Sequence, residues 1–117
     1  MRILFVHQNF PGQFVHLAAA LAERKHEVVA LAIHKRSPLP NIKTIYYQPQ
    51  RGSTEGIHSL AGDFETKLIR AKACAEAAVK LKKDGSYPDV IYAHTGWGES
   101  LFIFEGCMAP GEVTGVF

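Results

Sequence analysis

The sequence predicts an α/β fold built on a doubly wound parallel sheet of four or five strands. Short, continuous apolar runs alternate along the chain with segments in which apolar residues recur at the helical period. Continuous apolar runs are typical of strands in a parallel sheet, because helices cover both faces of that sheet. Strands that alternate with helices along the chain indicate the α/β class.

The first unit is a strand, a helix and a second strand. Residues 2–6 form a short apolar run that ends at a polar turn. Over residues 12–24 the apolar positions follow an i, i+3, i+4, i+7 pattern, which predicts a helix with one apolar face. Residues 27–33 are again short, apolar and rich in β-branched side chains, which predicts a second strand parallel to the first.

The remaining elements follow the same logic. A third strand is expected at 44–47, followed by a long polar loop over 48–60. A long helix follows, and a fourth strand is expected at 89–93, with a short helix at 99–105 and a fifth strand at 112–117. The apolar stripe predicted for the long helix consists of Phe64, Leu68, Ala71, Ala75 and Ala78.

This fold predicts where a ligand binds. In doubly wound sheets, ligands bind outside the carboxyl ends of the strands, where the winding direction reverses. If the first strand is central, that point lies between the first and fourth strands. Two glycine-bearing turns are then expected at this edge, at residues 7–12 and 94–98.

Charge and composition indicate which partners, which cellular location and which cofactors to expect. The 117 residues carry a net charge of +2, and the cationic residues are spread along the chain, so nucleic acid is not the expected partner. The apolar run after Met1 is too short for a signal peptide or a membrane span, which predicts a cytoplasmic protein whose two cysteines stay reduced. No metal site is expected, because the histidines and cysteines lack ligand spacing, and no cofactor is expected.

Two cationic features each leave two interpretations open. Lys80, Lys82 and Lys83 form either a solvated helix end or a peripheral contact with an anionic membrane. Arg51, in the long loop, is either a free surface arginine or the partner of a phosphate or carboxylate.

The first turn contains candidate ligand-binding residues. Gly12 opens a helix whose first N–H groups lack partners, and its missing Cβ would let an anion such as a phosphate come close. His7 and Asn9 are candidate polar contacts at the tip of the first strand. The alternative is that all three residues only shape the turn.

The second turn contains the catalytic candidate. His94 follows the fourth strand and is the best general-base candidate, because an imidazole titrates near neutral pH. Gly96 and Gly98 flank Trp97, an arrangement that exposes backbone and offers an aromatic plate to a sugar or a base. The alternative is that Trp97 packs under the next helix and His94 holds the loop.

Two segments of the chain carry a family resemblance. The segments "MRILFVHQNFPGQFVHLAAALAERKHEVVAL" and "PDVIYAHTGWGESLF" stand in the order and at about the separation seen in the N-terminal domain of GT-B-fold retaining glycosyltransferases of the group 1, family 4 type. The resemblance implies a Rossmann-like domain. It covers most of residues 1–105, and residues 106–117 match the family less well.

The resemblance also implies a reaction and a set of roles. Such enzymes hold a nucleotide-sugar donor mainly in a C-terminal domain and the acceptor in the N-terminal one. Gly12 matches the glycine of the loop that approaches the donor diphosphate. His94 and the turn at 96–98 match the loop that faces the acceptor and the transferred sugar.

The same resemblance predicts that residues 1–117 are a partial N-terminal domain. The donor-binding domain, with its spaced pair of glutamates, is absent from the sequence, so this fragment is expected to be inactive alone. The alternative is a stand-alone flavodoxin-like or receiver-like binding module. A receiver needs an acidic pair after the first strand to bind Mg²⁺, and residues 7–9 offer none.

Overall fold

Four parallel strands and two α-helices make up the part of the chain that the structure, a computed structural model, describes: residues 1–37, 39–49, 51–85 and 88–93. The strands are β1 (Arg2–Val6), β2 (Glu27–Ala32), β3 (Ile42–Tyr46) and β4 (Val90–Ala93), and the α-helices are α1 (Val15–Glu23) and α2 (Ser59–Lys83). The sheet order is β3-β2-β1-β4. The predicted doubly wound α/β fold is therefore confirmed. The helix expected at 99–105 and the strand expected at 112–117 lie outside the described residues.

Each face of the sheet is covered by its own layer. Side chains alternate between the two faces along a strand, so Leu4 and Val6 of β1 face α2, whereas Ile3 and Phe5 face the α1 side. Helix α2 presents small residues to the sheet together with Leu81. On the α1 side, the Phe5 ring is stacked on Tyr92 at 5.2 Å. The continuous apolar pattern of β1 follows from burial on both faces.

Helix α2 is longer than the sequence predicts, and its buried face is different. It begins at Ser59, inside the predicted loop, and Phe64 is 62% exposed although the predicted stripe places it in the core. The helix is 25 residues long, roughly 37 Å at the usual rise, whereas a five-residue strand spans about 17 Å. The first turns of α2 therefore extend beyond the sheet. The buried residues of α2 are Ala71, Ala73, Cys74, Ala77, Ala78 and Leu81.

The other boundaries shift by small amounts. Strand β2 ends at Ala32, one residue earlier than predicted, and β3 begins at Ile42, two residues earlier. The helix predicted over 12–24 is divided into a 3₁₀ turn, Gly12–Phe14, and α1. These shifts leave the strand order unchanged.

Arg2 ties together the amino edge of the sheet, where the strands begin. Its side chain donates to Glu27 Oε2 at 2.9 Å and to the Gly85 carbonyl at 2.9 Å. Its backbone N–H donates to Asp89 Oδ2 at 2.7 Å. The ion pair with Glu27 is exposed and contributes little to stability, so its main effect is to join the starts of β1, β2 and β4.

Candidate functional site

The carboxyl ends of β1, β2 and β4 meet at one edge of the sheet. Val6 pairs with Leu31 on one side and with Ala93 on the other. Strand β1 is therefore central, and the winding direction reverses between β1 and β4, as the sequence predicts. The first candidate turn, residues 7–12, leaves the sheet at this edge. His94, Gly96, Trp97 and Gly98 lie outside the described residues, and their roles stay predictions.

His7 holds the first turn together from within. Its backbone N–H donates to the Leu31 carbonyl at 3.1 Å, and its own carbonyl accepts from Phe10 N–H at 3.1 Å. The ring Nδ1 accepts from the Asn9 N–H at 3.0 Å, which places the proton of the neutral imidazole on Nε2. His7 is only 6% exposed. Its clearest role in this structure is to order the turn, and a contact with a ligand stays a prediction.

Gly12 is required by the position of the His7 ring. Its φ of +46° lies in the left-handed region that side chains disfavour, and a Cβ there would stand 2.6 Å from His7 Nε2. The sequence suggested that the missing Cβ admits a ligand. In the structure the space is taken by His7, while Gly12 itself is exposed at the surface. Whether its backbone also meets a donor diphosphate stays a prediction.

The turn that follows β2 is joined to the first turn. The Gln8 carbonyl accepts two hydrogen bonds, from Ile33 N–H at 3.0 Å and from His34 N–H at 2.9 Å. Arg36 Nη2 donates to Asn9 Oδ1 at 3.2 Å. Residues 7–12 and 33–36 thus form one hydrogen-bonded surface, which we call the carboxyl-edge platform.

Arg36 is the residue of this platform that sequence reasoning missed. The available signal was the run of His34, Lys35 and Arg36 directly after a strand that neighbours the first one. Loop residues at the carboxyl edge of adjacent strands are brought together by the topology. An arginine in such a loop is a candidate contact for a phosphate or carboxylate.

Glu65 anchors the loop that follows β3. Its Oε1 accepts hydrogen bonds from Arg51 Nη1 at 2.6 Å, from the Thr54 hydroxyl at 2.8 Å and from the Thr54 N–H at 2.9 Å. Of the alternatives left open for Arg51, the structure shows a carboxylate partner. The hydrogen bond from Arg51, followed by that from the Thr54 hydroxyl, holds the pKa of the Glu65 carboxyl below its ordinary value.

The Glu65→Ala substitution is expected to release this loop. The Thr54 amide would lose its acceptor and exchange with solvent faster, by about three- to tenfold. Amide exchange measured by NMR on the 117-residue chain checks this. The matched control is Glu76→Ala on the exposed side of the same helix, which should leave Thr54 exchange unchanged. Equal exchange of the Thr54 amide in the wild type and both variants would show that Glu65 does not hold this loop.

The contacts that Glu65 makes with Arg51 and Thr54 also make the stability of this loop depend on pH. Because the pKa of Glu65 is lowered in the folded state, its contribution to stability is fully present above the ordinary carboxyl pKa. That contribution is lost as the pH falls through the lowered value. Thr54 amide exchange, corrected for its intrinsic pH dependence, should therefore accelerate only in the acid range and should follow Glu65 protonation.

A metal site and a membrane-spanning helix each place requirements on the described residues. Over 1–37, 39–49, 51–85 and 88–93, no cluster of three or more histidine, cysteine or acidic side chains is placed to hold a metal ion. Neither helix in these ranges has the length and apolarity needed to cross a membrane.

This chain shares its fold with part of a larger protein of known structure. The crystal structure of Os79 from O. sativa, in complex with UDP and deoxynivalenol-3-glucoside, matches the whole of this chain with a TM-score of 0.59. The match covers 28% of that protein, and sequence identity is 15%, so the likeness concerns the fold. A search of curated proteins finds no match.

One sequence-family model matches most of this chain. The model described as "Glycosyl transferase family 4 group" matches residues 24–109. This range includes the second of the two segments on which the sequence resemblance rests, and most of the described α/β sheet. The resemblance stated from the sequence is confirmed, and the chain belongs to the glycosyl transferase family 4 group.

Proposed function

We propose that this chain is the acceptor-side part of a retaining glycosyltransferase, which moves a sugar from a nucleotide-sugar donor to a hydroxyl acceptor. Family membership supports the reaction class. The Os79 structure, with the same fold, is described as a complex with UDP and deoxynivalenol-3-glucoside, which are of the two kinds of product that sugar transfer from a nucleotide-sugar yields. The acceptor-side assignment follows from the resemblance of the first turn to the N-terminal domain of such enzymes.

The observation that carries the proposal is the position of the first turn at the point where the sheet reverses. Strand β1 is paired with β2 and β4, so the turn at 7–12 opens between two winding directions. In sugar transfer, negative charge develops on the departing diphosphate, and preorganised N–H donors stabilise it. The carboxyl-edge platform is held by hydrogen bonds within the protein and needs little reorganisation to serve in this way.

In the proposed enzyme, the turns at residues 7–12 and 94–98 have separate roles. Exposed backbone at Gly12 contributes to the electropositive environment of the diphosphate. His94 orients or polarises the reacting hydroxyl, and Trp97 with its two flanking glycines shapes the acceptor pocket. In this proposal the donor is held mainly by a second domain, so residues 1–117 alone catalyse no sugar transfer.

The test compares this chain with the product of the whole reading frame. We expect the longer protein to carry a second α/β half and to transfer sugar from a nucleotide-sugar donor in a panel of donors and hydroxyl acceptors. Residues 1–117 alone should give no transfer with the same panel. A natural stop after codon 117, together with a folded protein that transfers no sugar, would favour the stand-alone binding module instead.

Within the active protein, His94→Ala is expected to lower kcat by about 10²-fold or more, because a positioned acid or base contributes on that scale. The donor KM should change little. His16→Ala, on the exposed surface of α1, is the matched control and should leave both constants unchanged. Near-normal turnover of the His94 variant would remove that residue from the mechanism.

A further inference from the structure

Arg36 differs from the two other arginines whose side-chain hydrogen bonds the structure describes. Arg2 pairs with Glu27 at 2.9 Å, and Arg51 pairs with Glu65 at 2.6 Å. Arg36 instead donates to a neutral amide oxygen, Asn9 Oδ1, at 3.2 Å. Over the described ranges it forms no salt bridge. Asn9 therefore helps to orient the guanidinium without neutralising its charge.

The surroundings of Arg36 add to this positive charge. Residues 28–54 contain no aspartate or glutamate, and neither do residues 1–22, so both turns of the platform lack acidic side chains. Lys35 is adjacent, with its Nζ 5.7 Å from the centre of the Tyr46 ring. Glu27, which begins β2, and Asp89, which precedes β4, lie at the opposite edge, and Glu65 near the start of α2 is already paired with Arg51. Among the described residues, the local charge around Arg36 is therefore positive and favours an anion.

The platform also limits the freedom of Arg36. The chain before it is fixed by the two N–H groups that donate to the Gln8 carbonyl, and Asn9 is fixed by its N–H bond to His7. A guanidinium has five N–H donors, of which the contact with Asn9 uses one. The other donors suit the planar, two-oxygen geometry of a phosphate or carboxylate.

We propose that Arg36 binds an anionic group, a phosphate or carboxylate, of a ligand that occupies the carboxyl-edge platform. This inference rests on the proposed function for the identity of that ligand. In a glycosyltransferase, the anion belongs either to the donor diphosphate or to an acidic acceptor. Both sources present the same chemistry to the guanidinium.

The binding step is tested on the 117-residue chain itself. Inorganic phosphate is titrated at constant ionic strength, with sodium chloride as the replaced salt, while the backbone amides of Asn9 and His34 are followed by NMR. We expect saturable shifts at both amides. Arg36→Gln should weaken the apparent affinity by at least about tenfold, since charge-assisted hydrogen bonds are lost.

The matched control is Arg24→Gln, at the exposed carboxyl end of α1. It removes the same charge and should leave the phosphate shifts intact. The same spectra check that each variant is folded. Shifts that stay linear with phosphate, or that weaken equally in both variants, would overturn the proposal.

A comparison of UDP with methyl phosphate separates the two sources. If UDP half-saturates the Arg36-dependent shifts at a concentration about tenfold lower, the anion is the donor diphosphate. If the two probes act at similar concentrations, the anion belongs to the acceptor. Arg36-dependent binding without sugar transfer by the longer protein would keep this site and reject the transferase, so the two proposals fail separately.

Discussion

Gly12→Ala is expected to lower the free energy of unfolding by about 2–4 kcal/mol, because it combines a strained backbone with a steric clash. The φ of +46° is unfavourable for alanine, and the new methyl group would clash with the His7 ring, at 2.6 Å from its Nε2 atom. The ring would have to leave the position in which its Nδ1 accepts from Asn9. Urea denaturation of the chain, followed by circular dichroism, measures the loss.

Gly52→Ala is the matched control for that substitution. A Cβ at Gly52 would meet nothing within 4 Å, and its backbone does not need a left-handed φ. The control should therefore stay within about 0.5 kcal/mol of the wild type. If both variants unfolded at the same urea concentration, the packing of His7 against Gly12 would not be a determinant of the turn.

Phe5→Ala is expected to cost about 3–5 kcal/mol, as large deletions in a well-packed core do. The side chain is 0% exposed, and its ring centre lies 5.7 Å from that of Phe10 and 5.1 Å from that of Phe14. The loss would open a cavity directly beneath the first turn. Urea denaturation measures it, and the NMR spectrum should show the largest changes in residues 7–14.

The control for the aromatic cluster is Phe64→Ala, which removes the same side chain from an exposed position. Phe64 is 62% exposed on the part of α2 that extends beyond the sheet, so the expected cost is below about 1 kcal/mol. Equal losses for the two variants would mean that Phe64 is covered in solution. That result would contradict the exposed start of α2.

The two strands β1 and β2 were predictable because they are largely buried on both faces. After an exposed first residue, Arg2 or Glu27, burial on two sides leaves only apolar positions, so β1 and β2 appear in the sequence as short apolar runs. The central position of β1 was an assumption of the prediction, and the strand order β3-β2-β1-β4 confirms it. The start of α2 was not predictable in the same way. Helical periodicity does not reveal how far the sheet extends beneath a helix, and Phe64 was placed in the core for that reason.

The contents of the site were only partly predictable. Position along the chain was enough to bring residues 7–12 to the edge where the winding reverses. The fit of the His7 ring over Gly12 depends on backbone angles in the turn, which no period in the sequence encodes. The contact between Arg36 and Asn9 depends on two loops from neighbouring strands. Residue types identified Asn9 as a polar candidate but gave no sign of its partner.

The most direct test of the proposed ligand site is hydrogen–deuterium exchange of the complete protein with and without UDP. A ligand held at the reversal point of the sheet should slow exchange in the peptides that cover 7–14 and 33–37. Protection confined to the opposite edge, in peptides that cover 24–27 and 84–90, would contradict the placement of the site at the carboxyl ends of the strands.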